Sequence, residues 1–178
     1  MSLPKPNAHA IASCRKFYTL LPRGEDLSLL ILKLHLLVED QIRAFVDERV
    51  ENKEALTAAK LECHQAICLA EALSGEDIHP NVWEAARKLN SLRNHIAHNL
   101  ELKGVVDRMN HIASLIGVPQ EMLAAEGKTP QEAAVEGFSF GVSLLHNEVS
   151  LWVKRKPAPV LSIVQSEPDA LHLPKDGS

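Results

Sequence analysis

Within residues 89–98, Leu-Asn-Ser-Leu-Arg-Asn-His-Ile-Ala-His, three polar side chains stand at spacings that suit chemistry: Arg93, Asn94 and His98. Imidazole titrates near neutrality without help, so His98 is a candidate general acid or base. A planar guanidinium grips phosphate oxygens, so Arg93 is a candidate for binding a phosphate and stabilising charge that develops on it. Asn94 lies one helical turn before His98, where its amide can hydrogen-bond the ring and set its tautomer. Each residue also has a plainer account. A histidine near a helix C-terminus is favoured by the macrodipole. An asparagine on an exposed face is simply solvated. A guanidinium at a core boundary needs a counter-charge, and Glu39 is the candidate partner for Arg93.

The element that must position these groups is a helix over 80–100. Pro80 suits its first turn, because the missing N–H would be unpaired there in any case. At 3.6 residues per turn, Val82, Ala85, Leu89, Leu92, Ile96 and Leu100 form one apolar stripe that must face a core. Arg87, Asn94 and His98 fall on the opposite side, with Arg93 at the edge of the stripe. A second polar pair, His35 and Glu39, is one turn apart on a long apolar helix upstream. A satisfied core histidine with its carboxylate is the plain reading of that pair.

Arg93-Asn94 followed by His98, within Leu-Arg-Asn-x-Ile-Ala-His, resembles the signature of the HEPN superfamily of helical bundles. Lys33-Leu-His35-Leu-Leu-Val-Glu39 is similar to the first main bundle helix of HEPN-like and mannitol-repressor-like proteins. Together the two matches span residues 26–100. The resemblance implies an all-α bundle that pairs as a homodimer. It also implies a metal-independent ribonuclease site between subunits, at which the RNA 2′-hydroxyl attacks its own phosphate. Carried onto this chain, Arg93 stabilises the phosphate and the transition state, Asn94 orients, and His98 transfers protons, with Glu39 and His35 in support. Many HEPN toxins carry a tyrosine two positions after the histidine, where this chain has Leu100. That departure points away from the toxins whose tyrosine is modified by a partner nucleotidyltransferase. The alternative is a non-catalytic regulator or protein-interaction module in which the motif is structural. An RNA substrate, a second copy of the chain and a protein partner or antitoxin are the partners to be expected.

Composition narrows the field. The net charge of −4 gives no global basic field to draw in nucleic acid, and aromatics make up only 4%. The cysteines, Cys14, Cys63 and Cys68, are odd in number and form no recognisable framework, so reduced thiols are expected, Cys63 and Cys68 buried among apolar groups. Cys63 and Cys68 with His64, or His95 with His98, invite a metal reading. The cysteine spacing chelates poorly, however, and no acidic ligand lies near the histidines, so no metal and no cofactor are expected. Lys154-Arg155-Lys156 beside Trp152 reads as a solvated helix end. No apolar segment is long enough to span a bilayer, and a cytoplasmic protein is the expectation.

The remaining pattern reads as helix after helix, over 8–21, 26–50, 54–73, 80–100 and 104–116. A short piece follows over 120–125, and a last helix, capped by Thr129, ends near 156. The expected fold is an up-and-down bundle of five to six helices. The 26–50 helix, apolar on nearly every face at its start, is central. Residues 1–156 form the bundle domain, and 157–178, with four prolines, form a flexible tail.

Overall fold

The computed structural model describes residues 4–22, 26–98, 103–123 and 127–155, all helices and connections with no strand among them. The 157–178 tail and Leu100 lie outside the described residues.

The helix starts follow local capping chemistry. Asn7 accepts the Ala10 N–H at 2.8 Å and opens α1 (Ala8–Leu20). Asp26 accepts the Leu29 N–H and opens α2 (Leu27–Asp47). Asn52 does the same for α3 (Lys53–Ala59). Farther on come α5 (Pro80–His98), α6 (Val105–Leu115) and the single-turn α7 (Gln120–Leu123). The last helix, α8 (Pro130–Trp152), begins with a reciprocal capping box between Thr129 and Glu132.

One expectation is corrected here. The single helix expected over 54–73 is two helices, α3 and α4 (Cys63–Ser74). Lys60 adopts a left-handed conformation, with φ of 47°, and ends α3. The Leu61 carbonyl is then taken by Arg43 Nη2 of α2 at 3.0 Å instead of by a helical N–H. Gln65 accepts the Glu62 N–H at 2.9 Å, which restarts the chain as α4 with Cys63 at its first position. The described residues thus hold seven helices and the single turn α7.

The core gathers around α2, which packs against α4, α5 and α8. Ile31, Leu34, Ile42 and Phe45 of α2 are fully buried, against Trp83, Leu89 and Leu92 of α5 and Phe138, Val142 and Leu145 of α8. Not every face of α2 is covered: Leu29, Leu32 and Leu36, spaced three and four apart, are exposed. The Phe45 and Trp83 rings are 5.7 Å apart, while His35 meets Asn90 at 3.1 Å. Moving forward along α5 therefore moves backward along α2. The two helices are antiparallel, and the C-terminal end of α5 lies toward the N-terminal half of α2.

On the other side, α8 receives α6, α1 and α7. Gly141 lets α6 approach closely, since a Cβ there would stand 3.1 Å from the Ala113 Cα and from Val118 Cγ2. The last helix ends at Trp152, earlier than expected, and the basic residues after it are not merely solvated. Arg155 donates to the carbonyls of Leu151 and Lys5, and Asn7 Nδ2 donates to the Val153 carbonyl at 3.0 Å, tying the N-terminal arm to the end of α8. Among the described residues no helix is long and apolar enough to cross a membrane.

Candidate functional site

The α5 stripe behaves as its periodicity requires. Val82, Ala85, Leu89 and Leu92 are buried and Ile96 is partly buried. Arg93, at the stripe's edge, is half-buried, whereas Asn94 and His98 are exposed. Arg93 Nη1 donates to Asn94 Oδ1 at 3.0 Å. The partner that Asn94 Oδ1 holds is thus the arginine, a contact beyond the ring-orienting role expected of this residue. Because Asn94 and His98 are one turn apart, the same contact draws the guanidinium toward the face that carries His98.

The expected pairing of Arg93 with Glu39 is not formed. Arg43, one turn beyond Glu39 on α2, reaches its Oε1 with Nε at 2.9 Å and Nη2 at 2.6 Å. A neighbour at i+4 on the same helix needs no tertiary adjustment to meet the carboxylate, and it takes the place assigned to Arg93. Arg93 still acts on this region through its field: it opposes protonation of His35 and ionisation-resisting burial at Cys63.

Beneath Arg93 lies a polar cluster joining α2, α4 and α5. The His35 ring is buried, with Nε2 at 3.1 Å from Asn90 Oδ1 and 3.4 Å from Cys63 Sγ. An amide oxygen only accepts, so Nε2 carries the proton in this arrangement, a tautomer assigned from its partner. Nδ1 is then a bare lone pair. It has no hydrogen-bond partner and faces Glu39 Oε2 at 3.7 Å. Burial pushes the His35 pKa down, the Asn90 hydrogen bond and Glu39 raise it, and Arg93 adds to the lowering. Burial first, then Glu39, push the Cys63 thiol up to about 11, against the opposing pull of Arg43 and Arg93. A thiol so placed is protonated and a poor nucleophile at neutral pH.

Donor atoms of His35, Glu39 and Cys63 all lie within 4.8 Å of one another. The expectation of no metal rests on ligand spacings along single helices, whereas this cluster joins α2 to α4. His95 is half-buried and His98 exposed, and no third ligand joins them among the described residues. Cys68 is exposed, contrary to the buried thiol expected, and its Sγ lies 3.7 Å from His64 Nε2. Asn90 escaped the motif reading. Its signal was present on the wheel, one turn from Ala86 and two from Trp83, where a polar residue flanks buried ones and needs a partner.

A second buried histidine was also missed. His146 of α8 is 1% exposed, with Nε2 at 3.1 Å from Ser13 Oγ of α1 and its ring packed 4.8 Å from Phe17. Burial drives its pKa down to about 4.

Fold and site together define an all-α helical bundle in which exposed Asn94 and His98 flank half-buried Arg93, with a cluster of buried His35 and partly buried Glu39 and Cys63 nearby. Comparison with protein-family models, curated proteins and solved structures returns no match to this chain.

Proposed function

We propose that the chain is a homodimeric, metal-independent RNA endonuclease of HEPN type, with Arg93, Asn94 and His98 lining a cleft shared by two copies. The observation that carries this reading is the Arg93–Asn94 hydrogen bond on the face of His98. Arg93 and His98 are five positions apart, about 140° around a helix, so their backbone positions alone would aim them apart. Asn94 corrects this by holding the guanidinium toward the exposed side. A cation for the phosphate and an imidazole for proton transfer then share one solvent-facing surface.

In-line attack by the 2′-hydroxyl needs a base, an acid at the leaving 5′-oxygen, and a cation facing the phosphate. One His98 supplies one proton-transfer group, and a second copy supplies the other. Loops and single strands are the expected substrate, since a duplex hides its bases and constrains its phosphates.

The test is cleavage of a mixed RNA pool by highly purified protein in EDTA, with product ends identified. A 2′,3′-cyclic phosphate is expected, and His98→Ala should slow cleavage by about 10²-fold or more with the fold intact. Intact RNA, or an unaffected His98→Ala variant, would favour the second reading, a non-catalytic interaction module. The exposed Leu29, Leu32 and Leu36 favour that reading too, since they offer a helix face for protein docking whether or not the motif is catalytic.

A further inference from the structure

The geometry points to a divalent transition-metal site of zinc type, formed by His35, Glu39 and Cys63 between α2 and α4. It stands independently of the RNA reading. Three observations carry it. A donor atom from each residue lies within 4.8 Å of the other two, a spread that bonds of about 2.0–2.3 Å to one ion can close with small movement. His35 is 95% buried, on its 5% exposure, yet Nδ1 has no hydrogen-bond partner and points at Glu39 Oε2, 3.7 Å away. Two lone pairs facing each other at this partly buried position repel unless a proton or a metal cation lies between them. The third observation is the support around the donors. Asn90 Oδ1 accepts from His35 Nε2 and Arg43 holds Glu39 Oε1, which orients the imidazole and the carboxylate with Nδ1 facing Oε2, while Cys63 Sγ stands 3.4 Å from Nε2 of the same ring. Metal-ligating imidazoles and carboxylates are commonly held this way by their second atoms.

The donor set selects the ion. Thiolate, imidazole and carboxylate together suit zinc and its substitute cobalt rather than calcium or magnesium, which prefer oxygen alone. Binding displaces the Cys63 proton, forming the metal–sulfur bond as the S–H proton leaves to solvent, with no change of oxidation state. A divalent ion held by a thiolate and a carboxylate is locally neutral, which limits its repulsion with Arg43 and Arg93. The arrangement also gives the α3/α4 break a purpose: restarting the helix at Cys63 delivers the thiol to α2. Bound metal would clamp α4 to the central helix.

The test is titration of the full chain, freed of metal, with Co²⁺ and then Zn²⁺. The expected result is a thiolate-to-cobalt charge-transfer band in the near ultraviolet, one ion per chain, bleached by zinc. The band should vanish in Cys63→Ser, His35→Gln and Glu39→Gln and persist in Cys68→Ser. Zinc at about a hundredfold over its Kd should raise the thermal midpoint by roughly 5–10 °C. Should a variant fail to fold, alkylation of the native chain decides: zinc must protect Cys63 from a thiol reagent while Cys68 stays reactive. Absence of the band, its loss in Cys68→Ser, or unprotected Cys63 would overturn the site. Because the RNA reading predicts cleavage in EDTA, the two proposals fail separately.

Discussion

His146 is the residue whose burial has the plainest thermodynamic consequence. Asn147 and Asp40 raise its pKa and His9 and Lys16 lower it, but burial dominates and leaves it at about 4 against the ordinary 6.5. The unfolded chain therefore binds a proton that the folded chain refuses between these two values. Stability from this group is fully present above pH 6.5 and is lost as pH falls toward 4. A gap of this size corresponds to about 3 kcal/mol at most. We expect the stability advantage of the native chain over His146→Gln to shrink steadily between pH 6.5 and 4. An advantage that stays constant would mean the ring is not the proton-sensitive group. Nothing local announced this residue, since its partner Ser13 is 133 positions away. Arg93, Asn94 and His98 were legible for the opposite reason: they interrupt one helix's apolar rhythm within a few residues.

Among the elements, the tightest joint is between α6 and α8. A methyl group at Gly141 would meet the Ala113 backbone at 3.1 Å, and a helix backbone cannot swing aside as a side chain can. Gly141→Ala should therefore cost about 1–3 kcal/mol in denaturant unfolding, despite the better helix propensity of alanine. Gly137→Ala meets only the far end of Leu123 and should cost less. The reverse order would show that α6 shifts more easily than the packing implies. Periodicity and capping residues marked most helices within a few positions: Asp26, Pro80 and Thr129 each stand where a helix begins. The break at Lys60 was not legible, because its cause is tertiary. Arg43 captures the Leu61 carbonyl from another helix, and no propensity near residue 60 encodes that. The His35–Glu39–Cys63 cluster depends on the same break, so its assembly is hidden in the sequence although the His35–Glu39 pair, one turn apart, is legible there.

For the whole molecule, the proposed composite site requires a two-fold partner, and the exposed leucines of α2 are a candidate surface for one. Leu29, Leu32 and Leu36 are 41%, 38% and 52% exposed on one side of the central helix, although they are large and apolar. That side lies between α1, reached by the Lys16–Asp40 ion pair, and α5, reached by the His35–Asn90 contact. Because α2 and α5 are antiparallel, the stripe in the N-terminal half of α2 lies at the end of the bundle that carries Arg93 and His98. A self-complementary pairing of α2 with its copy would bury the leucines and bring both motif helices to one junction. Replacing Leu32 and Leu36 together by glutamate removes apolar burial and sets like charges across the axis. Each 1.4 kcal/mol lost is a tenfold weaker dimer, and two leucines at about 1.5–3 kcal/mol each imply at least a hundredfold. Light scattering should show the native chain as a dimer and the Leu32→Glu/Leu36→Glu variant as a monomer with unchanged helical content. RNA cleavage should fall with the loss of dimer and recover in part at high protein concentration. A native chain that is monomeric at high concentration would end the shared-cleft proposal, and a monomeric variant that cleaves as fast as its parent would show that one copy suffices.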